Sequence, residues 1–174
     1  MKHLLKNIFR PLYHFLMNKN EREFHKIHRN LNSFPRFKKI DNVKFLKYSI
    51  SIVDAQSFIY QFKEIFVDEV YKFNSESKSP VIFDCGSNVG TSVLYFKSLF
   101  PDAKIISFEA DPEIGNVLKQ NLLDNRIYDV LLIQSAVWIN NNGVSFSVQG
   151  ADGGMILDGK EKNITSVRLK DFLV

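Results

Sequence analysis

Apolar residues recur at helical spacing in two stretches of the N-terminal half. Leu4, Leu5, Ile8, Phe9, Leu12, Phe15 and Leu16 share one face of a helix, while Lys2, Lys6, Arg10 and His14 fall largely elsewhere. Pro11 lacks an amide donor and crowds the carbonyl of Asn7, so a kink or break is expected there. Phe58, Ile59, Phe62, Ile65, Phe66, Val70 and Phe73 predict a second helix over residues 54–73, with Asp54 as its N-cap. Serines and alternating charges over 74–80 end it. Residues 1–49 therefore read as a basic arm, 50–79 as a helical preface and 80–174 as a separate unit.

From Pro80 onward the pattern alternates between strand and helix. Val81, Ile82 and Phe83 form a short apolar run, 86–90 a turn, and 91–100 a helix carrying Val93, Leu94 and Leu99, stopped by Pro101. Residues 105–108 form the next strand. Asp111 and Pro112 suit the cap and first position of a helix with Ile114, Val117, Leu118 and Leu122 inward. Residues 130–137 predict a third buried strand. Val144, Phe146 and Val148 alternate after turn residues 140–143, which predicts a hairpin-like fourth segment. The predicted architecture is α/β with a Rossmann-like parallel sheet, preceded by a helical segment.

Composition supports a packed domain: 174 residues, 45% hydrophobic and 13% aromatic, suffice for a core. Charge divides along the chain. Residues 1–47 hold twelve Lys or Arg against Glu21, Glu23 and Asp41, a balance of +9; residues 80–174 hold eight basic against eleven acidic residues, a balance of −3. The arm lacks any zinc spacing, helix-turn-helix or RNA-binding signature, so nucleic acid is not an expected partner. Two readings of the arm stand: a helix packed on the domain or on a second copy as a homodimer, or a peripheral foot on an anionic membrane. Lys6 and Arg10 interrupt the only long apolar stretch, no signal cleavage site follows it, and Cys85 is the single cysteine. The expected location is cytoplasmic, with peripheral membrane contact as the variant. The four histidines fall in the arm, where Glu21, His25 and His28 read as a solvated face, and no metal is expected.

In an open α/β sheet, ligands bind beyond the carboxyl ends of the strands. Here those ends carry Asp84-Cys85-Gly86-Ser87-Asn88-Val89-Gly90 and Phe108-Glu109-Ala110-Asp111-Pro112. Gly86 and Gly90 permit a sharp turn and close backbone approach. Amides near the next helix N-terminus are expected to face the ligand. Glu109 lies 19 residues beyond Gly90, at the tip of the neighbouring strand, where a carboxylate can accept both hydroxyls of a ribose. Asn88 and Thr91 stand where a dinucleotide fingerprint needs glycines, and Gly90-Thr91-Ser92 lacks the lysine of a P-loop. Asp84 repels phosphate but favours an ammonium group. These charges fit S-adenosylmethionine. A turn-only role for the glycines and a cap-only role for Asp111 remain alternatives. Cys85 reads as a buried filler, and 152–154 as a loop near substrate or simply a loop.

Residues 84–90 and 108–112, with Ser135-Ala136-Val137 and the closing Val167-Arg168-Leu169-Lys170-Asp171-Phe172-Leu173, resemble the FkbM-type class I methyltransferases. Phe58-Ile59-Tyr60-Gln61-Phe62-Lys63-Glu64-Ile65-Phe66 is similar to the helix that precedes the loop in members linked to bacterial glycan pathways, so the resemblance spans residues 50–174. It implies O-methylation of a hydroxyl on a sugar, glycan or natural product. It assigns Asp84, Gly86, Ser87, Asn88 and Gly90 to the methionine side of the cofactor, Glu109 to the ribose, Ala110 and Asp111 to the adenine flank, and Ser135 and Ala136 to its far edge. In full-length relatives a segment like 169–173 leads into further central strands, whereas this chain ends at Val174, so a C-terminally incomplete sheet is expected and no catalytic base is assigned. Two other readings are a non-catalytic S-adenosylmethionine-binding or assembly module and a nucleotide-dependent oxidoreductase.

Overall fold

A computed structural model describes residues 18–147, 155–156 and 163–173; the amphipathic arm of residues 1–17, Val148 and the 152–154 segment lie outside them. Helix α1 (Lys19–Leu31) starts at Asn18, whose side chain accepts the amides of Asn20 and Glu21. Ile27 and Leu31 on its inner face join the core.

An antiparallel hairpin follows, β1 (Ile40–Phe45) and β2 (Tyr48–Ile52), inside the stretch where the pattern suggested only arm and helix. Its inward positions, Val43, Phe45, Tyr48, Ile50 and Ile52, obey the two-residue period of a half-buried strand. Phe45 is its plug: its ring lies 5.4 Å from that of Phe58, 5.6 Å from Phe62 and 5.8 Å from Phe66.

Helix α2 (Ala55–Phe62) is capped by Asp54 as expected. It does not run on to Phe73. A π-helical turn over Lys63–Val67 follows, in which Phe62 and Phe66 stack at 5.0 Å, and Glu69 then takes a left-handed conformation. Beyond it Phe73 packs on Phe100, at 4.9 Å, and Tyr71 stacks on Phe96. The apolar spacing that suggested one long helix therefore serves two surfaces.

The α/β unit has the predicted alternation of strands and helices, but its third strand, expected to be buried, is partly exposed, with Leu131 at 53%. Strands β3 (Val81–Cys85), β4 (Lys104–Phe108) and β5 (Val130–Ile133) form a parallel sheet in that order, linked by α3 (Thr91–Leu99) and α4 (Pro112–Asp124). Because the strand order advances in one direction, both helices fall on the same face. Val93, Leu94, Ile114, Leu118 and Leu122 form one core with Ile82 and Ile105, and the hairpin residues belong to that core too.

Side-chain amides of α4 bind the hairpin. Asn121 accepts the Ser51 amide at 2.7 Å and donates to the Ser51 carbonyl at 2.8 Å; Asn125 does the same for Ser49, at 3.1 and 2.7 Å. One helical turn apart, the two amides meet alternate residues of β2 and stand in for a neighbouring strand on its free edge.

The third expected strand is interrupted after Ile133 and resumes as β6 (Ala136–Val137). The hairpin-like segment is present as β7 (Val144–Ser147), antiparallel to β8 (Met155–Ile156) and to β9 (Asn163–Ile164). Strand β10 (Ser166–Val167) lies parallel to β6, and a 3-10 turn spans Leu169–Phe172. Among the described residues no helix is long and apolar enough to cross a membrane.

Candidate functional site

The loop of residues 86–90 leaves the tip of β3 and enters α3. Gly86 and Gly90 have φ of +91° and +96°, and Asn88 lies between them at +49°. The two glycines divide the work that the sequence assigned to both. A Cβ at Gly86 would meet nothing within 4 Å, so the space above it is open to a ligand. A Cβ at Gly90 would come 2.6 Å from Cδ1 of Leu118, so Gly90 lets α3 pack closely on α4.

The loop amides do not face outward. Gly86 and Ser87 both donate to the Phe108 carbonyl, at 2.9 and 3.0 Å, and Gly90 donates to the Ser87 carbonyl. Asn88 donates to Oε2 of Glu109 at 2.9 Å, and the Val89 amide is taken by the Asn88 side chain. The amides of residues 86–90 thus do not form the ligand-facing cradle expected there. With these five donors committed within the chain, the loop has no nest for a phosphate.

Glu109 stands where the sequence put it, at the end of β4 beside the β3 loop. It is buried and bridges the two strand tips, since Oε1 accepts the Asp111 amide at 2.9 Å while Oε2 holds Asn88. Burial raises its pKa above the ordinary value, and the amides of Asp111 and Asn88 offset part of that. Each carboxylate oxygen accepts more than one hydrogen bond, so the bridge leaves capacity for hydroxyl donors.

Asp84 lies at the base of the loop, buried, and accepts the Ser92 hydroxyl of α3 at 2.7 Å. Burial pushes its carboxyl up, with the hydroxyls of Ser92 and Ser87 acting against the rise. Ser87 turns inward: its hydroxyl donates to the Asp84 carbonyl and accepts from Ser107 at 2.5 Å, which ties the loop to the sheet beneath. Cys85 is exposed rather than a buried filler. Partial desolvation of its thiol by neighbouring groups and then the charge of Asp84 raise its pKa, which disfavours a thiolate nucleophile.

Asp111 is a buried helix cap, accepting the amides of Glu113 and Ile114. Ala110 packs on a small cluster of Ala136, Val144 and Ile164, which brings Ala110 and Ala136 together. Ser135 is next to them in sequence and bonds Thr165 at 2.7 Å.

Two polar residues outside the motifs also reach the site. Asn121 donates to the Val89 carbonyl at 2.8 Å as well as binding β2, so one amide couples the hairpin to the loop. Gln61 of α2 accepts the Thr91 hydroxyl at 3.2 Å, at the first turn of α3. An Asn at an inward position of an apolar helix was the available signal for the first; Gln61 carried none.

No protein-family model matches the chain. In sequence, Methyltransferase sdnD of Sordaria araneosa is 45% identical over 78 residues, which are 45% of this chain and 29% of that protein. Methyltransferase 1 of Beauveria bassiana (strain ARSEF 2860) is 33% identical over 60 residues, 34% of this chain and 24% of that protein. The chain thus spans under a third of the length of these curated relatives. Among solved structures, P. horikoshii TYW2 in complex with MeSAdo aligns over 59% of this chain and 38% of that one, with 14% identity and a TM-score of 0.42. Over nearly half its length, this chain is similar in sequence to a protein named as a methyltransferase.

Proposed function

We propose that the chain carries the S-adenosylmethionine-binding part of a class I methyltransferase of FkbM type, which methylates a hydroxyl of a sugar, glycan or natural product. The observation that carries the reading is the pairing of a carboxylate with a phosphate-averse loop. Glu109 stands at the tip of β4 beside a loop whose amides are already bonded, with open space over Gly86. Adenosine is favoured; pyrophosphate is not.

S-adenosylmethionine, when bound, supplies a methyl group on a sulfonium, ready for in-line displacement by a hydroxyl oxygen. The chain's own residues bind and orient. Glu109 would accept the ribose hydroxyls, Asp84 would favour the ammonium end, Gly86 and Asn88 would line the methionine side, and Ala110 with Ala136 would flank the adenine. Ser87, Gly90 and Asp111 act from beneath, fixing the loop and the helix start. Such positioning provides much of the acceleration available to a methyl transfer.

Titration calorimetry with S-adenosylmethionine, S-adenosylhomocysteine and NAD tests the reading. Binding of the first two without the third is the expected result; NAD binding alone would move the chain to the oxidoreductases. A non-catalytic binding or assembly role is the second reading, favoured by the far face of the sheet, where Val81 and Leu131 are exposed among the described residues. Cofactor binding without methyl transfer to any hydroxyl acceptor would select it.

A further inference from the structure

We propose that the segment joining α1 to β1, with the outer face of α1, docks on an anionic lipid bilayer. Residues 32–39 are all exposed, and the segment presents two phenylalanines to solvent, Phe34 at 36% and Phe37 at 57% exposure. Phe37 is held in a left-handed conformation, φ +57°, which a side-chain-bearing residue rarely adopts.

The protein spends a buried carboxylate to hold it there. The Phe37 amide donates to Asp54 at 2.8 Å, and Nε of Arg36 reaches both Asp54 oxygens at 3.0 and 2.9 Å. Asp54 also caps α2. The guanidinium of Arg36 lies 4.8 Å from the centroid of the Phe37 ring. The base of the loop is therefore anchored to the core while its aromatic ring faces out.

The surroundings are basic. Lys19, Arg22, Lys26 and Arg29 recur at helical spacing, are all exposed, and lie on the side of α1 opposite Ile27 and Leu31. Lys38 and Lys39 follow Phe37 directly. Residues 19–47 hold nine Lys or Arg against three acidic residues, a balance of +6. Exposed aromatic rings with a basic surround suit the headgroup boundary of an anionic bilayer, where the rings enter the apolar edge and the cations meet lipid charge.

A nucleic acid would also attract the charge. The sequence just before α1 favours the bilayer, because residues 4–16 pair basic positions with leucines, isoleucine and phenylalanines that a phosphate backbone cannot use. The surface does not depend on the proposed cofactor site.

The test is sedimentation of the 174-residue chain with vesicles of phosphatidylcholine alone and of equimolar phosphatidylcholine and phosphatidylglycerol. The chain should pellet with the anionic vesicles only. The pair Phe34→Ser and Phe37→Gly should weaken that binding about tenfold, and the pair Lys38→Glu and Lys39→Glu by a similar factor. Phe37→Gly alone should keep or raise the melting temperature, since glycine adopts φ +57° freely, which separates lost docking from lost folding. Equal pelleting with both vesicle types, or no effect of either pair of substitutions, would overturn the proposal. So would a single-stranded oligonucleotide that binds through Phe34 and Phe37 and displaces the chain from the vesicles.

Discussion

On one face of the β3–β4–β5 sheet, Ile82, Asp84, Ile105 and Ser107 are all buried, beneath α3, α4 and the hairpin. On the other, Val81 is 58% and Leu131 53% exposed, although both are as apolar as their buried neighbours. At the strand tip on that far side Phe172 meets Phe108 edge-on at 5.2 Å, and Phe83, Ile106 and Ile133 are half-buried. Parallel sheets are normally buried on both faces. The difference separates two tasks. The covered face sets the 86–90 loop, because Asp84, Ser87 and Ser107 tie it to α3 and the sheet. The open face, with the edge of β3 that pairs with no strand among the described residues, carries none of these ties.

The largest contrast should come from matched truncations. Ile105→Ala should cost about 2 to 5 kcal/mol, as for a buried aliphatic, whereas Leu131→Ala should cost less than about 1 kcal/mol. Urea unfolding of both variants measures it, and equal losses would mean that the far face is covered in solution. Next comes Asn121→Ala, expected to lose about 1 to 3 kcal/mol through stranded groups on Ser51 and Val89, and to weaken cofactor binding as well. A loss of stability without loss of affinity would sever the hairpin from the loop.

The open face itself should associate. Light scattering should show the 174-residue chain growing in mass with concentration, because the apolar sheet face and the edge of β3 that pairs with no strand among the described residues invite pairing with a second copy. Val81→Lys with Leu131→Lys should return it toward monomer. A concentration-independent monomer would remove that expectation.

The smallest effect is in pH. Asp54 has its pKa lowered: burial would raise it, but the donors Phe37, Ser57 and Arg36 outweigh burial. Its stabilisation is complete above the ordinary carboxylate range and is lost as pH falls through its lowered value. Asp84 and Glu109 are raised by burial, so they act in reverse. Their contribution is complete below the ordinary range and declines as pH rises through their folded values. Thermal melts across acid pH should therefore show slopes of opposite sign removed by Asp54→Asn and by Asp84→Asn.

Much of this was readable in the sequence where local rules and tertiary packing agree. The 84–90 loop, Glu109 at the next strand tip, and the caps Asp54 and Asp111 depend on residue type at fixed offsets, and each stands where the pattern put it. The hairpin was hidden. Its alternation at 43, 45, 48, 50 and 52 is plain once seen, but its turn runs through Leu46 at φ +49°, with none of the usual glycine or asparagine. The long helix over 54–73 failed because Val70 and Phe73 keep helical spacing while the chain, past the π-helical turn, leaves Val70 exposed and packs Phe73 on Phe100. That Gly90 answers to Leu118 and that the loop amides are consumed by Phe108 and Glu109 are contacts between distant residues, which no local pattern states.

The central claim is that the Glu109 carboxylate reads a ribose. Because Glu109 also holds Asn88 and Asp111, a simple loss of affinity in Glu109→Ala would mix two roles. A double-mutant cycle separates them: calorimetric affinities of wild type and Glu109→Ala for S-adenosylhomocysteine and for its analogue lacking the ribose hydroxyls. A coupling of about 1 to 3 kcal/mol between the carboxylate and the hydroxyls is the predicted result. Additive losses, with no coupling, would leave Glu109 as a loop brace and contradict the account.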